Sequence, residues 1–422
     1  MKYSVAEVLQ YVKENDVKFV RLAYCDIFGI KKNISIMADR LKTAFETGIA
    51  IDVCMTAGFE NKNSCELVLV PDPSTLCVLP WRPSHGSVVR LFCNVYYPDL
   101  RPFECDGRKI LQDALLSLAK YKFDAKFGTE SEFYLFKLSE EGEPEKIPHD
   151  NAGYMDIAPL DKGENVRREI CLTLEEMGIS PAMSYHEAGP GQHEIVFEMA
   201  PPVTAAENFL TFKRIVKTVA AGNGLHATFM AKPIAEKAGN GMHINLMLTF
   251  KGINIFEESA FKNSPEAQSF VAGILKHAKE ICLFLNPLTN SYKRIGEHSA
   301  PKAISWSYKD KNCFLRVAPS KRLEIMSVDG ACNPYAAFAA ILYAGTDGIE
   351  NSMTLESSKQ EDVLPQSIDE AIDCLKNSAF IKKYMPSEFL DGFIKLKEEE
   401  YIQYKNSADK QQFETEKYFY SV

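Results

Sequence analysis

Glu130 and Glu132 stand one residue apart in the stretch GTESEFYLF, residues 128–136. The aromatic run that follows them marks a buried strand, and alternate side chains of a strand share a face. The two carboxylates therefore point the same way, opposite Ser131, Phe133 and Leu135. Three more stretches repeat the pattern. In GMHINLMLTF (241–250), His243 and Asn245 oppose the apolar Met242, Ile244, Leu246 and Leu248. In KRLEIMSV (321–328), Arg322, Glu324 and Met326 oppose Leu323 and Ile325. In YHEAGPGQHEIVFEM (185–199), Glu187 and Glu194 flank a Gly-Pro-Gly turn, and Glu194 alternates with Ile195 and Phe197.

One such strand needs no more than a half-solvated antiparallel sheet. A solvated face, however, mixes Lys, Thr, Ser and Arg among its acids, whereas the outstanding residues here are Glu130, Glu132, Glu187, Glu194, Glu324 and His243. If they converge, each carboxylate pair repels by a few kcal/mol at an effective dielectric of about 20. Several pairs would exceed the roughly 5–15 kcal/mol that holds a domain together. A cation must offset them. Oxygen donors with one imidazole suit Mg²⁺ or Mn²⁺ rather than zinc or copper. Five glutamates are too many for one Mg²⁺, which keeps several waters, so two or more ions are expected. Mg²⁺ points in turn to phosphate chemistry. No GxxxxGK[ST] loop is present, and the glycines at 189–191 and 239–241 read as tight turns. A two-metal hydrolase would use the same carboxylates.

The chain that must position these groups has 422 residues, 46% hydrophobic and 25% charged, too long for one small domain. Its net charge of −9, with no basic stripe, argues against a nucleic-acid partner. Arg167-Arg168 reads as a solvated helix face. The eleven cysteines are scattered, as expected of reduced thiols in a cytoplasmic protein. The N-terminus reads as an amphipathic helix capped by Ser4 and Glu7, not as a signal peptide. No run of about 18 apolar residues predicts a membrane span. The first hundred residues alternate short strands (17–26, 30–38, 65–72, 87–97) with turns, up to a Pro- and acid-rich boundary at 96–107. Asp106 then caps a helix, and another should open at Ser264-Pro265 and stop at Asn286-Pro287. The charged, helical end carries Glu398–Glu400 as a solvated run. The class is α+β, with a small strand-rich domain followed by a larger one.

At these residues the sequence resembles the glutamine synthetase family, type I branch. The resemblance covers nearly the whole chain. It rests on GTESEFYLF, HEAGPGQHEIVF, KPIAEKAGNGMHIN, NPLTNSYKR, FLRVAPSKRLEI and VDGACNPYAAFAAILYAGTDGI in the family's order, and on IDVC at Asp52 and ELVLVPDPST. It implies a β-grasp-like domain over 1–100 and a catalytic domain over 101–422, whose curved antiparallel sheet with flanking helices lines a funnel-shaped site. It also implies a dodecamer of two hexameric rings with sites shared between neighbours. ATP would phosphorylate the side-chain carboxylate of glutamate, and ammonia would attack the acyl phosphate. By position, Glu132, Glu187 and Glu194 match the ligands of one metal ion, and Glu130, His243 and Glu324 those of a second. Arg294, Arg316 and Arg322 match arginines that hold the substrate carboxylate and nucleotide phosphates, groups a guanidinium pairs bidentately. Gly239 matches a glycine whose backbone meets the substrate. Asp52 matches an aspartate lent to a neighbour's ammonium pocket.

The departures cluster around the acyl group and its nucleophile. The family's flap glutamate falls on Ser299 in the shorter segment NSYKRIGEHSAPK, where Glu297 is nearby and could substitute. An arginine position two residues after Glu324 holds Met326, which strand alternation puts on the polar face. A further arginine position holds Lys311, which keeps the charge but not the fork. Glutamine synthetase is the default reading. The alternatives are a γ-glutamyl-amine ligase taking a larger amine or another acid, and a non-catalytic oligomeric scaffold.

Overall fold

The computed structural model of the chain describes residues 3–58, 66–81, 86–355 and 362–422. They form two compact units. One comprises Met1–Ile110, Thr173–Ile179 and Met385–Phe393; the other comprises Leu111–Leu172, Ser180–Tyr384 and Ile394–Val422.

In the first unit, apolar alternation yields β1 (Phe19–Cys25), β2 (Lys31–Met37), β3 (Ile49–Asp52), β4 (Glu66–Pro71), β5 (Cys77–Val78) and β6 (Val88–Tyr96). Their order is β2-β1-β6-β4-β3, with β5 on β6. β1 runs parallel to β6 and antiparallel to β2, giving the mixed sheet expected of a β-grasp. Val20, Leu22, Leu69, Val89 and Leu91 fill its core. The expected N-terminal helix spans Val5–Glu14 and carries the Ser4–Glu7 capping box. Cys54 is disulfide-bonded, against the expectation of reduced thiols throughout.

The second unit is organised by one long strand, β7 (Phe123–Leu138). It takes different partners along its length: β12 (Met242–Phe250), then β10 (Gln192–Phe197), then β11 (Leu225–Thr228) and β8 (Pro144–Pro148). Such a change of neighbours curls the sheet around β7. β9 (Pro181–His186) extends it beyond β10. Beyond β12 it continues through β16 (Arg322–Ile325), β15 (Leu315–Ala318) and β14 (Trp306–Ser307), with β13 (Ile253–Asn254) at its margin. Met242, Ile244, Leu246 and Leu248 are buried on one face, as alternation requires. On that side Phe127 stacks on Phe338 of the helix Pro334–Glu350, at 4.3 Å between ring centres.

Three local expectations are corrected. The helix opened by Ser264 and ended at Asn286 is two helices, Pro265–Lys276 and Ala278–Leu285. The break is His277, whose ring lies between the carboxylates of Glu280 and Asp347. Arg167 is buried rather than solvated, 2.7 Å from Asp161 and 2.9 Å from Nδ1 of His193. Glu400 is also buried, accepting hydrogen bonds from Tyr418 at 2.7 Å and Lys397 at 3.2 Å. In both cases the opposite charge is close in sequence, Asp161 for Arg167 and Lys397 for Glu400, while His193 and Tyr418 are brought in by the fold.

Candidate active site

Strand register assembles the polar face. Glu132 lies opposite Glu194, and Glu130 opposite His243. Asn245 lies opposite Glu324, which in turn faces Arg316. Tyr185 lies beyond Glu194 at the other end of the row. Glu187 follows β9, its backbone N–H bonded to the carbonyl of Gln192 at 2.8 Å across the Gly-Pro-Gly turn. Gly191 closes that turn at φ +68°, a left-handed conformation suited to glycine.

The acids divide into two electrostatic groups. Glu130 and Glu324 are neutralised by guanidinium groups. Arg322 donates to Glu130 at 2.6 Å and to Glu324 at 3.0 Å, and Arg316 donates to Glu324 at 2.5 Å. Glu130 also accepts from Asn245 at 3.0 Å and lies 3.5 Å from Nδ1 of His243. Burial raises the Glu130 pKa, but hydrogen bonding to His243, the His243 charge, Asn245 and Arg322 outweigh it and hold the carboxyl down at about 2.

The second group has no such ion pair among the described residues; the charges of His243 and Arg294 only partly offset the repulsion at Glu132. Burial and the negative charge of Glu187 raise the pKa of Glu132. Burial, then the charges of Glu132, Glu130 and Glu187, push Glu194 up to about 9. Glu194 is 3% exposed and its Oε1 has no hydrogen-bond partner. A divalent cation fits this place: it would satisfy the orphaned oxygen and remove the repulsion. The Glu130, His243 and Glu324 group offers the same donor types once Arg322 and Arg316 yield.

Among the described residues, the set of three or more such donors with ligand atoms within 4.8 Å of one another is Asp150, Asp161, His186 and His193. The six predicted ligands are thus grouped on one face but not contracted to that separation. The Asp/His set is compatible with a metal by donor type, yet Arg167 already supplies positive charge there and backbone N–H groups occupy its carboxylates. Asp150 Oδ1 accepts from Gly191 at 2.8 Å and from Ala152 at 3.2 Å, and its Oδ2 accepts from Lys162 at 3.1 Å. Both nitrogens of His186 face acceptors, Asp150 at 3.0 Å and the Glu187 carbonyl at 2.7 Å. A proton on each nitrogen would satisfy both acceptors. Burial opposes that charge, and the Asp150 hydrogen bond outweighs it to raise the His186 pKa.

Arg294 is 5% exposed, and its Nε has no partner. Its Nη2 donates to the Val328 carbonyl at 2.9 Å. Gly239 and Gly241 leave room for it. A Cβ on Gly239 would stand 2.8 Å from Arg294 Cγ and 2.4 Å from the Ala231 carbonyl. A Cβ on Gly241 would stand 3.3 Å from Arg294 Nη1. Gln192 ties this loop to the acids, donating to Glu132 at 2.8 Å and to the Gly239 carbonyl at 3.1 Å. Its position inside the Glu187–Glu194 hairpin was the available signal, and an uncharged amide did not stand out.

The remaining predicted positions make other contacts. Glu297 is exposed and pairs with Lys232 at 2.9 Å, while Ser299 and Lys311 are exposed. Met326 is buried, but β16 ends at Ile325, and its N–H bonds to Phe314 at 3.0 Å; strand alternation no longer governs its direction. Asp52 is exposed at the end of β3 in the first unit, accepting the Cys54 N–H at 2.9 Å.

An acid-lined, arginine-bordered face on a curled, largely antiparallel sheet has the donor types of proteins that handle phosphate and carboxylate groups. Residues 104–418 match the sequence model of the glutamine synthetase catalytic domain, and residues 16–98 that of the glutamine synthetase beta-grasp domain. The chain belongs to the glutamine synthetase family. It is 39% identical to the glutamine synthetase of Methanosarcina mazei over 94% of both chains. It is 37% identical to that of Clostridium saccharobutylicum, covering 96% of this chain and 97% of the relative. A solved structure of GmaS in complex with ADP superposes with a TM-score of 0.86 at 28% identity, covering 97% of this chain and 98% of that one. No described helix is long and apolar enough to cross a membrane.

Proposed function

We infer that the chain is an ATP-dependent carboxylate–amine ligase, by default a glutamine synthetase. The observation that carries this reading is the placement of Glu132 opposite Glu194 beside the Glu187 turn, with the buried Glu194 Oε1 left without a partner. Glu132, Glu187 and Glu194 are assigned to one Mg²⁺ or Mn²⁺, and Glu130, His243 and Glu324 to a second. When bound, these ions supply charge neutralisation to the transferring phosphoryl group. Arg316 and Arg322 are assigned to ATP phosphates, which would relieve them of Glu324 and Glu130. Arg294, buried beside the glycine loop, is assigned to the substrate carboxylate, and Gly239 to a backbone contact with the substrate.

The chemistry has two steps. A side-chain carboxylate oxygen of glutamate attacks the γ-phosphorus of ATP, and the bond to ADP breaks. The amine nitrogen then attacks the acyl phosphate, phosphate leaves, and the nitrogen loses a proton to form the amide. Phosphorylation supplies the leaving group that a carboxylate lacks, and the site must keep water from the intermediate. Glu297 is the acid assigned to the flap, and Asp52 of a neighbouring copy completes the amine pocket in a dodecamer of two hexameric rings. The family's soluble small-molecule chemistry is in keeping with a cytoplasmic enzyme of nitrogen metabolism.

A γ-glutamyl-amine ligase is the second reading. It is favoured by the exposed Ser299 and buried Met326 at positions where the family carries charge. The deciding measurement is ADP release with product masses across a matrix of carboxylates, ammonia and short primary alkylamines. Turnover that needs glutamate and ammonia selects the default; turnover only with an alkylamine selects the alternative; none with any pair overturns both.

Asp150→Asn tests the support behind the first ion. Its carboxylate holds both Gly191 and His186, the two ends of the turn that carries Glu187. Loosening that turn should weaken Mn²⁺ binding by about tenfold or more, as is usual for an outer partner of metal ligands. Calorimetric titration of the full chain measures it; an unchanged affinity contradicts the assignment.

A further inference from the structure

The Lys232 side chain is 3% exposed, while that of Glu297, which it meets at 2.9 Å, is 59% exposed. A buried ammonium thus has as its counter-charge a carboxylate on a surface turn. That turn begins directly after Arg294. It is closed by Glu297 N–H to the Arg294 carbonyl at 3.1 Å, Gly296 N–H to the Ala300 carbonyl at 2.9 Å and Ala300 N–H to the Glu297 carbonyl at 3.0 Å. Outward movement of the turn would leave Lys232 charged and uncompensated where water has little access, a costly arrangement.

Lys232 is itself held from behind. Asn290 accepts its N–H at 2.5 Å and donates to its carbonyl at 3.1 Å. The same Asn290 amide donates at 3.0 Å to Glu414, which is 1% exposed near the C-terminus. Glu414 also receives Lys293 at 2.7 Å. The Lys232 backbone is therefore tied through Asn290 of the NSYKR motif to the C-terminal segment, while its ammonium reaches the flap.

We propose that Lys232 is a positioning residue that draws the 295–300 turn, and with it the Glu297 carboxylate, over the reacting acyl group, and that Glu414 sets Lys232 through Asn290. The inference rests on the ligase reading for its effect on chemistry, but not for its effect on the turn. The closed turn keeps water from the acyl phosphate and leaves the amine as the nucleophile.

The test uses the full-length enzyme with ATP, glutamate, Mg²⁺ and the amine that the wild type accepts. Lys232→Met should raise ADP released per amide formed by about tenfold and raise the amine KM similarly, with the ATP KM within about twofold. Lys232→Arg should restore most of the coupling. Glu297→Gln should reproduce Lys232→Met, and the double variant should be no worse than either single one, because both remove the same contact. Glu414→Gln should shift the partition in the same direction by a smaller factor. Hydrogen exchange on the ligand-free chain supplies a readout independent of turnover. The Gly296, Glu297 and Ala300 amides should exchange about tenfold faster in Lys232→Met and in Glu297→Gln, and at the wild-type rate in Lys232→Arg. Glu297→Gln alters only an exposed side chain, so it remains decisive if Lys232→Met folds poorly. Unchanged exchange in Glu297→Gln, or an unchanged ADP-to-amide ratio in an active enzyme, overturns the inference. A wild type that forms no amide, with turn exchange still responding, overturns the ligase reading and leaves the positioning contact standing.

Discussion

Glu194→Gln should raise the melting temperature of the metal-free protein while lowering ligase turnover by about a thousandfold or more. Glu194 is buried, its Oε1 lacks a partner, and three other glutamates raise its pKa. The sign of the pH effect follows. The group titrates near 4.5 when unfolded and near 9 when folded without metal. In that interval the folded chain holds a proton that the unfolded chain has released. The associated stability is complete below the lower value and is lost as pH rises through the upper one. Thermal melts of the wild type in chelator should therefore fall in midpoint from pH 6 toward pH 9, and the glutamine variant should flatten that slope. Mn²⁺ should lift the wild-type midpoint most at high pH, because the ion competes with a proton. A glutamine variant that keeps its turnover, or a metal-free slope that rises with pH, would show that Glu194 is not a ligand held under repulsion.

The second large effect is expected at Arg294. Arg294→Lys keeps a positive charge but removes the planar fork, and should lower kcat/KM for the carboxylate substrate by about a hundredfold or more. The site is shaped for the guanidinium: Gly239 and Gly241 give it space, and its Nη2 is fixed on the Val328 carbonyl. The unpaired Nε is the part left to a ligand. Steady-state kinetics with the carboxylate varied at saturating ATP and amine measures the loss. Since ATP is assigned to Arg316 and Arg322 instead, its KM should move by less than about threefold. Equal losses for both substrates would displace Arg294 from the carboxylate role.

Much of this site is legible in strand alternation. The facing of Glu130 with Glu132, of His243 with Asn245 and of Arg322 with Glu324 needs only the period of an extended chain. The capped helix starts at Ser4 and Ser264 were equally local. Met326 marks where this reasoning stops, because a strand's end is set by its partners: β16 pairs through Ile325 and no further. Arg167 and Glu400 show the same limit for charge. Each sits in a run that looks solvated, and each is buried where the fold adds a partner, His193 for Arg167 and Tyr418 for Glu400, to a nearby opposite charge.

The amino-acid sequence by itself determined which side chains share a face, where the turns and caps fall, and that an excess of carboxylates would require positive charge. The tertiary structure alone decided how that charge is distributed. Register placed Glu324 and Glu130 within reach of Arg316 and Arg322, and left Glu132, Glu187 and Glu194 without such a pair, Glu132 receiving only uncharged donors from Gln192 and Gly241. Facing is a property of neighbouring peptide units, as for Arg322 and Glu324, whereas the pairing of Glu130 with Arg322 depends on the distance between strands that are far apart along the chain.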